Sequence, residues 1–226
     1  MAKRLRTDLF MAGTMPANGM SVSAGNGQAL QSGLIVGVDE AGCGPLAGPV
    51  VAAAVVLGAQ PPEGLADSKA LSRARRAKLE PLICQTCHWA LGIADVEEID
   101  SINIFAATML AMTRAVAALE RQLGGSAIGM VLVDGNLTPA KRCADWTWQA
   151  RAIVKGDATE PCISAASILA KEHRDRLMLA AAAEFPQYGW ERNAGYGTAE
   201  HLAALRQYGA SRHHRRSFAP VAAVIG

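Results

Sequence analysis

A chain of 226 residues, half of them apolar, corresponds to one domain with appendages and can bury a substantial core. Aromatics make up only 5% while Ala, Val, Leu and Gly abound, which favours α/β helix-on-sheet packing over a sandwich built on large rings. A formal charge of +2 is too small to argue for a nucleic-acid partner by itself, and five irregularly placed cysteines exclude a disulfide framework.

The opening Met1-Ala-Lys-Arg-Leu-Arg is followed by no apolar core of signal-peptide length, so export is not expected. The longest apolar run, Val50 to Leu57, is shorter than the roughly 20 residues that cross a bilayer. The expectation is a soluble protein of the reduced cytoplasm, without membrane attachment.

Residues 1–32 lack any period and contain Ala-Asn-Gly and Gly-Asn-Gly turn formers, which predicts a disordered N-terminal tail. Leu34-Ile-Val-Gly-Val38 reads as a buried strand that stops at Asp39-Glu40, before a Gly-rich turn. Pro49 to Leu57 reads as a second buried strand, and Gly58 and Pro61-Pro62 lead out of it. Ser72 is placed to cap a basic helix, and His88 to Ala94 is a third strand candidate. Phe105, Met109, Met112, Val116, Leu119 and Leu123 then recur at helical spacing until Gly124-Gly125. Met130 to Val133 makes a strand ending on Asp134, and Ala150 to Val154 leads to Lys155-Gly-Asp157. A long helix is predicted from about Cys162 to Phe185, before Pro186. Three strands in a row followed by alternating helices and strands imply a mixed sheet flanked by helices. From His201 to Phe218 four arginines and three histidines occur with no acid, which suits either a basic patch or a solvated helix face.

Three apolar strands thus lead into acids: Asp39, Asp134 and Asp157. Strand ends in one sheet can converge. Consecutive side chains on a strand point to opposite faces, so Glu40 shares a site with Asp39 only if it lies past the strand end. Clustered carboxylates repel at neutral pH, and a raised pKa or a bound cation resolves the repulsion. Oxygen ligands of this hardness select Mg²⁺ or Mn²⁺. No His-Glu-x-x-His zinc spacing occurs, and Gly42-Cys-Gly44 is neither a Walker loop nor a dinucleotide fingerprint.

Several segments together carry a resemblance: Val36-Gly-Val-Asp-Glu-Ala-Gly-Cys-Gly-Pro-Leu-Ala-Gly-Pro-Val50, Asp67-Ser-Lys69, Val133-Asp-Gly-Asn136, Lys155-Gly-Asp157, Ile163-Ser-Ala-Ala-Ser-Ile-Leu-Ala-Lys171 and Gly195-Tyr-Gly-Thr198. In order and spacing, from about residue 33 to 218, the chain resembles ribonuclease HII, the prokaryotic type 2 ribonuclease H. The resemblance implies a ribonuclease H-like fold, a five-stranded mixed sheet flanked by helices, with a helical C-terminal region. It implies a catalytic domain over 33–218 and leaves 219–226 as a C-terminal tail. Asp39, Glu40, Asp134 and Asp157 fall on the family's catalytic, metal-holding positions. Gly42, Cys43, Gly44, Lys69 and Tyr196 fall on positions that contact substrate. The implied activity is hydrolysis of the RNA strand of RNA/DNA hybrids and incision beside ribonucleotides embedded in duplex DNA, by a monomer. A nucleic-acid-binding module without catalysis is the alternative of another class, and retention of all four acids argues against it.

The chain departs from the family at Cys43, where arginine is usual. The motif Cys84-Gln-Thr-Cys87-His88 has the spacing of a haem attachment site, although buried structural thiols are the simpler reading. Residues 137–150, with Trp146 and Trp148, form a somewhat longer loop than is usual, expected near the active face. Its tryptophans suit either a core role or base stacking. His213-His-Arg-Arg216 suits either phosphate contact or a solvated tail.

A thiol cannot replace a bidentate cation against phosphate. Cys43→Arg is therefore expected to strengthen substrate binding by about 1 kcal/mol. Michaelis constants measured side by side test this, and equal values would refute it.

Overall fold

The computed structural model describes residues 33–226; the expected N-terminal tail lies outside the described residues. The strands are β1 (Leu34–Ala41), β2 (Val50–Val56), β3 (His88–Ala94), β4 (Ile128–Asp134) and β5 (Ala150–Ile153). The helices are α1 (Arg73–Thr86), α2 (Val96–Gln122), α3 (Gly156–Thr159), α4 (Pro161–Glu184), α5 (Trp190–Asn193), α6 (Ala199–Tyr208) and α7 (Ala219–Ile225). The five strands form one mixed sheet in the order β3-β2-β1-β4-β5. β2 pairs antiparallel with β1 and β3, whereas β1, β4 and β5 run parallel.

Both faces of the sheet are covered, which is why its central strands read as continuous apolar runs rather than alternating ones. Val36, Val38, Ala52 and Ala54 pack with Met112, Val116 and Leu119 of α2 on one face. Val51, Ala53 and Val55 pack with Leu79 and Ile83 of α1 and Ile168 and Leu169 of α4 on the other. Helix α2 is long and apolar enough to cross a bilayer by length and composition, yet it lies in this core.

Most predicted elements stand within a residue or two of expectation, and the exceptions have local causes. β1 runs through Asp39 and Glu40 to Ala41, because Ala53 and Ala52 continue the pairing opposite them. The periodic helix is preceded by a turn of helix from Val96, capped by Asp95 and Glu98 acting reciprocally. The two stretches meet at Asn103, at φ 67° and ψ 164°, whose Oδ1 accepts from the Phe105 and Ala106 N–H groups and so caps the second. Residues 219–226, expected as a tail, form α7, because Val221 buries itself with Leu46 and Leu205.

The loop tryptophans belong to the core. Trp146 is buried against the α2 face, edge-on to Trp148, whose Nε1 donates to Glu120 near the end of α2. Gln149 receives the Val131 N–H, so the pair sits toward the start of β4, away from the acids at its other end. Trp146 is thus a core residue, and Trp148 is partly buried beside it. The thiols of the Cys84-x-x-Cys87 motif are structural in position: Cys87 is buried in the α1–α4 layer and Cys84 packs on it.

Helix and sheet meet closely where a side chain is missing. Gly37 lies under the first turn of α4, so that a Cβ there would run into the backbone of Cys162 and Ile163. Gly37→Ala is expected to destabilise the protein by about 2 kcal/mol, the scale of overpacking a tight core. Denaturant unfolding measures this, and an unchanged midpoint would show that α4 yields freely.

Candidate metal centre

The parallel register that pairs Val38 with Val133 sets Asp39 and Asp134 next to each other at the ends of β1 and β4. Side chains alternate along a strand, so both carboxylates project to the face covered by α4. Asp157 reaches them from α3. The chain enters that helix through Lys155 in the left-handed region, at φ 56°, and through Gly156, where a Cβ would stand 2.6 Å from the Ile163 side chain. The Asp157 N–H donates to Asp134 Oδ1 at 3.2 Å, and the Ser164 hydroxyl holds the Asp157 carbonyl at 2.7 Å. Asp39, Asp134 and Asp157 each present an oxygen within 4.8 Å of the other two.

Burial raises the Asp39 carboxyl well above its usual range, and the charges of Glu40 and Asp134 raise it further. Asp157 is also raised, by burial and then by Asp134 and Asp67. A buried group of like charges seeks a cation or a proton, and hard oxygens in this number suit a divalent metal. The site thus fits the implied ion.

Glu40 does not join this trio. It lies on β1 opposite Ala52, on the α2 side, where the Cys43 thiol donates to its Oε1 at 3.5 Å. The condition that Glu40 lie past the strand end is not met. Burial raises its carboxyl too, opposed by the Cys43 hydrogen bond and reinforced by Asp134. Cys43 also contacts the Thr108 hydroxyl at 3.3 Å. Burial and the neighbouring Glu40 push the thiol up to about 12, so Cys43 is a protonated structural group rather than a reactive one.

Lys69 stands over the acids. Partial burial disfavours its charge, but Asp39, Asp67, Asp157 and Glu40 outweigh this and hold its pKa above the usual range. Its loop is fixed from beneath by Arg76 and Glu172, which the sequence does not single out, and by Ser68 and Ser167, which lie in the family-like motifs without an assigned role. Buried Arg76 pairs with Glu172 at 2.7 Å and donates to the Ser68 and Leu71 carbonyls. Ser167 of α4 donates to Ser68 at 2.7 Å. Asp67, beside Asp157, is a further acid at the rim. Asp67, Ser68 and Ser167 are findable from the motifs that contain them, whereas Arg76 and Glu172 have no sequence signal beyond membership of a helix.

Beyond β1 the chain turns at Gly42, at φ 107°, and a Cβ added at Gly44 would meet the Tyr196 ring edge at 3.6 Å. Tyr196 is otherwise about half exposed. The structure therefore brings Gly44 and Tyr196 together at the acid-bearing end of β1. The supposed basic patch is divided: His201, His214 and Arg215 are buried and Arg212 is paired with Glu184, whereas Arg206 and Arg216 are exposed.

Residues 36–221 match the family model described as ribonuclease HII. Over 188 residues the chain is 68% identical to ribonuclease HII of Novosphingobium aromaticivorans, spanning 83% of this chain and 96% of that protein. It is 64% identical to ribonuclease HII of Sphingopyxis alaskensis, over 84% and 90% of the two. Among solved structures, ribonuclease H2 of Pyrococcus horikoshii superposes with a TM-score of 0.64 at 24% identity, over 84% of this chain and 96% of that one. A ribonuclease HIII in complex with Mn²⁺ superposes with a TM-score of 0.67 at 19% identity, over 87% of this chain and 70% of that one, and shares the fold.

The raised carboxyls have a consequence for stability. A carboxyl whose pKa is higher folded than unfolded contributes stability in full below its unfolded pKa, and loses it as the pH rises through the folded value. Relieving the repulsion should therefore help most at high pH. In chelator, Asp134→Asn is expected to melt with the wild type near about pH 4 and above it near about pH 7.5. Mn²⁺ should then raise the melting temperature of the wild type more than that of the variant. A variant less stable than the wild type at neutral pH without metal would contradict the repulsive reading.

Proposed function

The chain belongs to the ribonuclease HII family of metal-dependent endoribonucleases that act on RNA in RNA/DNA hybrids, and on that premise we propose that it also incises duplex DNA on the 5′ side of an embedded ribonucleotide, leaving 5′-phosphate and 3′-hydroxyl ends. The observation that carries this reading is the placement of the half-exposed Tyr196 ring beside Gly44, where only the missing Cβ separates them, at the end of the strand that bears Asp39. A sugar-reading element beside a phosphate-cleaving one is what recognition of a ribonucleotide requires, because the 2′-hydroxyl is the feature that separates RNA from DNA.

In this reading Asp39, Asp134 and Asp157 hold Mg²⁺ or Mn²⁺, and Glu40, on the other face of β1 yet near enough to feel the Asp134 and Lys69 charges, adds its negative charge to the site without joining the trio. A bound pair of such ions supplies a water of lowered pKa and a counter-charge for the leaving 3′ oxygen. The remaining roles fall to the chain itself. Lys69, charged and exposed above the acids, meets a backbone phosphate. Backbone groups of Gly42, Cys43 and Gly44 hydrogen-bond the 2′-hydroxyl, which glycine allows by leaving the main chain uncovered. The Tyr196 ring packs on the neighbouring deoxyribose. Cys43 turns its thiol inward to Glu40 and Thr108, so its contribution to substrate comes from its backbone. The substrates are RNA/DNA hybrid duplex and DNA with embedded ribonucleotides, met by a cytoplasmic monomer during replication and ribonucleotide excision repair. The catalytic unit is residues 33–218 extended by α7.

A DNA duplex carrying one ribonucleotide tests the reading directly. With Mg²⁺ or Mn²⁺ the protein should cut once, 5′ of the ribonucleotide, and chelator should stop it. Asp134→Asn should reduce the rate by at least about a hundredfold, since even an outer partner of a metal ligand is worth about 10-fold to 100-fold. Cleavage of hybrids with no incision at the single ribonucleotide would overturn the proposal while leaving the family assignment intact.

A further inference from the structure

The segment Ser211 to Arg215, which the proposed reaction leaves without a task, is bonded to both elements assigned to the sugar. Arg215 is fully buried, and among the described residues no carboxylate hydrogen-bonds its guanidinium. It donates through Nε to the Gly48 carbonyl at 2.9 Å and through Nη1 to Cys43 at 3.0 Å. Nη2 reaches Gly42 at 2.5 Å and Pro49 at 3.3 Å. A planar fork with five donors can span a curved run of carbonyls in this way, whereas an ammonium of three donors cannot. With their carbonyls drawn inward onto Arg215, Gly42 and Cys43 hold one geometry at the mouth of the site. Arg174 braces the same loop from α4, donating to Pro49, Ala47 and Ala194.

The second arm runs to Tyr196. The Ser211 N–H can only donate, so His214 Nδ1, at 3.0 Å from it, is an acceptor and the ring carries its proton on Nε2. That proton points to His201 Nε2 at 3.0 Å, whose single lone pair it shares with the Trp190 Nε1–H at 3.1 Å. His201 is therefore protonated on Nδ1 and donates to the Tyr196 carbonyl at 2.9 Å. Each tautomer follows from its neighbour, and the chain of hydrogen bonds is complete and buried. Between the arms, the Arg215 N–H donates to Leu46 and the Leu46 N–H to Gly195, which ties the turn to the residue before Tyr196.

We infer that Arg215, with the His214–His201 pair, is a positioning and specificity-determining element that sets the Gly42–Gly44 turn and Tyr196 at a fixed separation, so that the site measures a ribose rather than a deoxyribose. The inference rests on the proposed sugar-reading role of those residues. It concerns discrimination, and the acid trio on α3, β1 and β4 lies outside it.

Discrimination is read as the Ki of an all-DNA duplex, acting as a competitive inhibitor, divided by the KM of the same duplex with one ribonucleotide. This ratio does not depend on how much of a preparation is folded. Arg215→Lys keeps a cation and gives up part of the fork. It should lower the ratio about tenfold through KM, the scale of one charged hydrogen bond, with Ki within about twofold of wild type. An unchanged ratio overturns the inference. Should Arg215→Lys fail to accumulate, Asp100→Ala replaces it. Asp100 accepts from the Arg216 and Ser217 N–H groups at 2.9 and 2.8 Å and anchors the next two residues from a more accessible site. A fall of about threefold supports the inference and no change defeats it. Tyr196→Ala, run alongside, separates the two levels of argument. If it leaves the ratio intact, the sugar-reading role itself fails. If it collapses the ratio while the Arg215 and Asp100 variants do not, only the positioning role fails.

Discussion

Asp39 and Asp134 are neighbours because Val38 faces Val133 across a parallel ladder, and parallel neighbours carry side chains of the same register to the same face. Placing two carboxylates side by side at the buried end of a sheet is unfavourable by itself, and a third arrives from α3. Burial dominates the rise in the Asp39 pKa, with the adjacent charges adding to it. Much of the surrounding structure can be understood from this concentration of negative charge. Lys69 is drawn over it, and the loop carrying Lys69 is in turn held by the buried Arg76–Glu172 pair. Removing one partner of such a pair would strand a buried charge, which is why these residues matter although they touch no ligand.

A second concentration of charge, of the opposite sign, lies behind the turn that follows β1. Arg174 and Arg215 are buried near each other, and burial followed by the Arg174 charge brings Arg215 down to about 9. Among the described residues neither has a carboxylate as a hydrogen-bond partner; both donate to main-chain carbonyls. Carbonyl oxygens can satisfy a guanidinium because it offers five donors over a broad plane. The loop from Gly42 to Pro49 is shaped around those donors, which explains how an irregular segment keeps one conformation without pairing into the sheet. Both cations lie on the inner side of the turn.

The close approach of these layers relies on small residues. β2 is built of Val and Ala alone, and each of its residues is buried between α2 and the α1–α4 layer. Gly37 admits the start of α4, and Gly156 admits Ile163 beside Asp157. The short side chains and glycines noted in the composition are thus the means by which α4 brings Ser164 and Ser167 up to the acids from below.

The elements, and the order of the acids along them, are legible in the residue pattern alone. Buried strands appear as unbroken apolar runs, helix α2 as a repeat at helical spacing, and the acids stand out because each follows such a run. Periodicity and capping are local, so they survive in one dimension. Glu40 shows where locality ends. Its place on the strand depends on Ala52 continuing the pairing from β2, and that pairing turns it away from Asp39. The charge of the His213–Arg216 run suits phosphate contact or a solvated tail, yet Arg215 is interior, since the carbonyls that receive it come from residues far away in the chain. Trp146 and α7 were likewise settled by apolar partners distant in sequence. Only the tertiary structure could decide these positions, because satisfaction of a buried polar group, or burial of an apolar one, is a property of the surroundings and not of the residue.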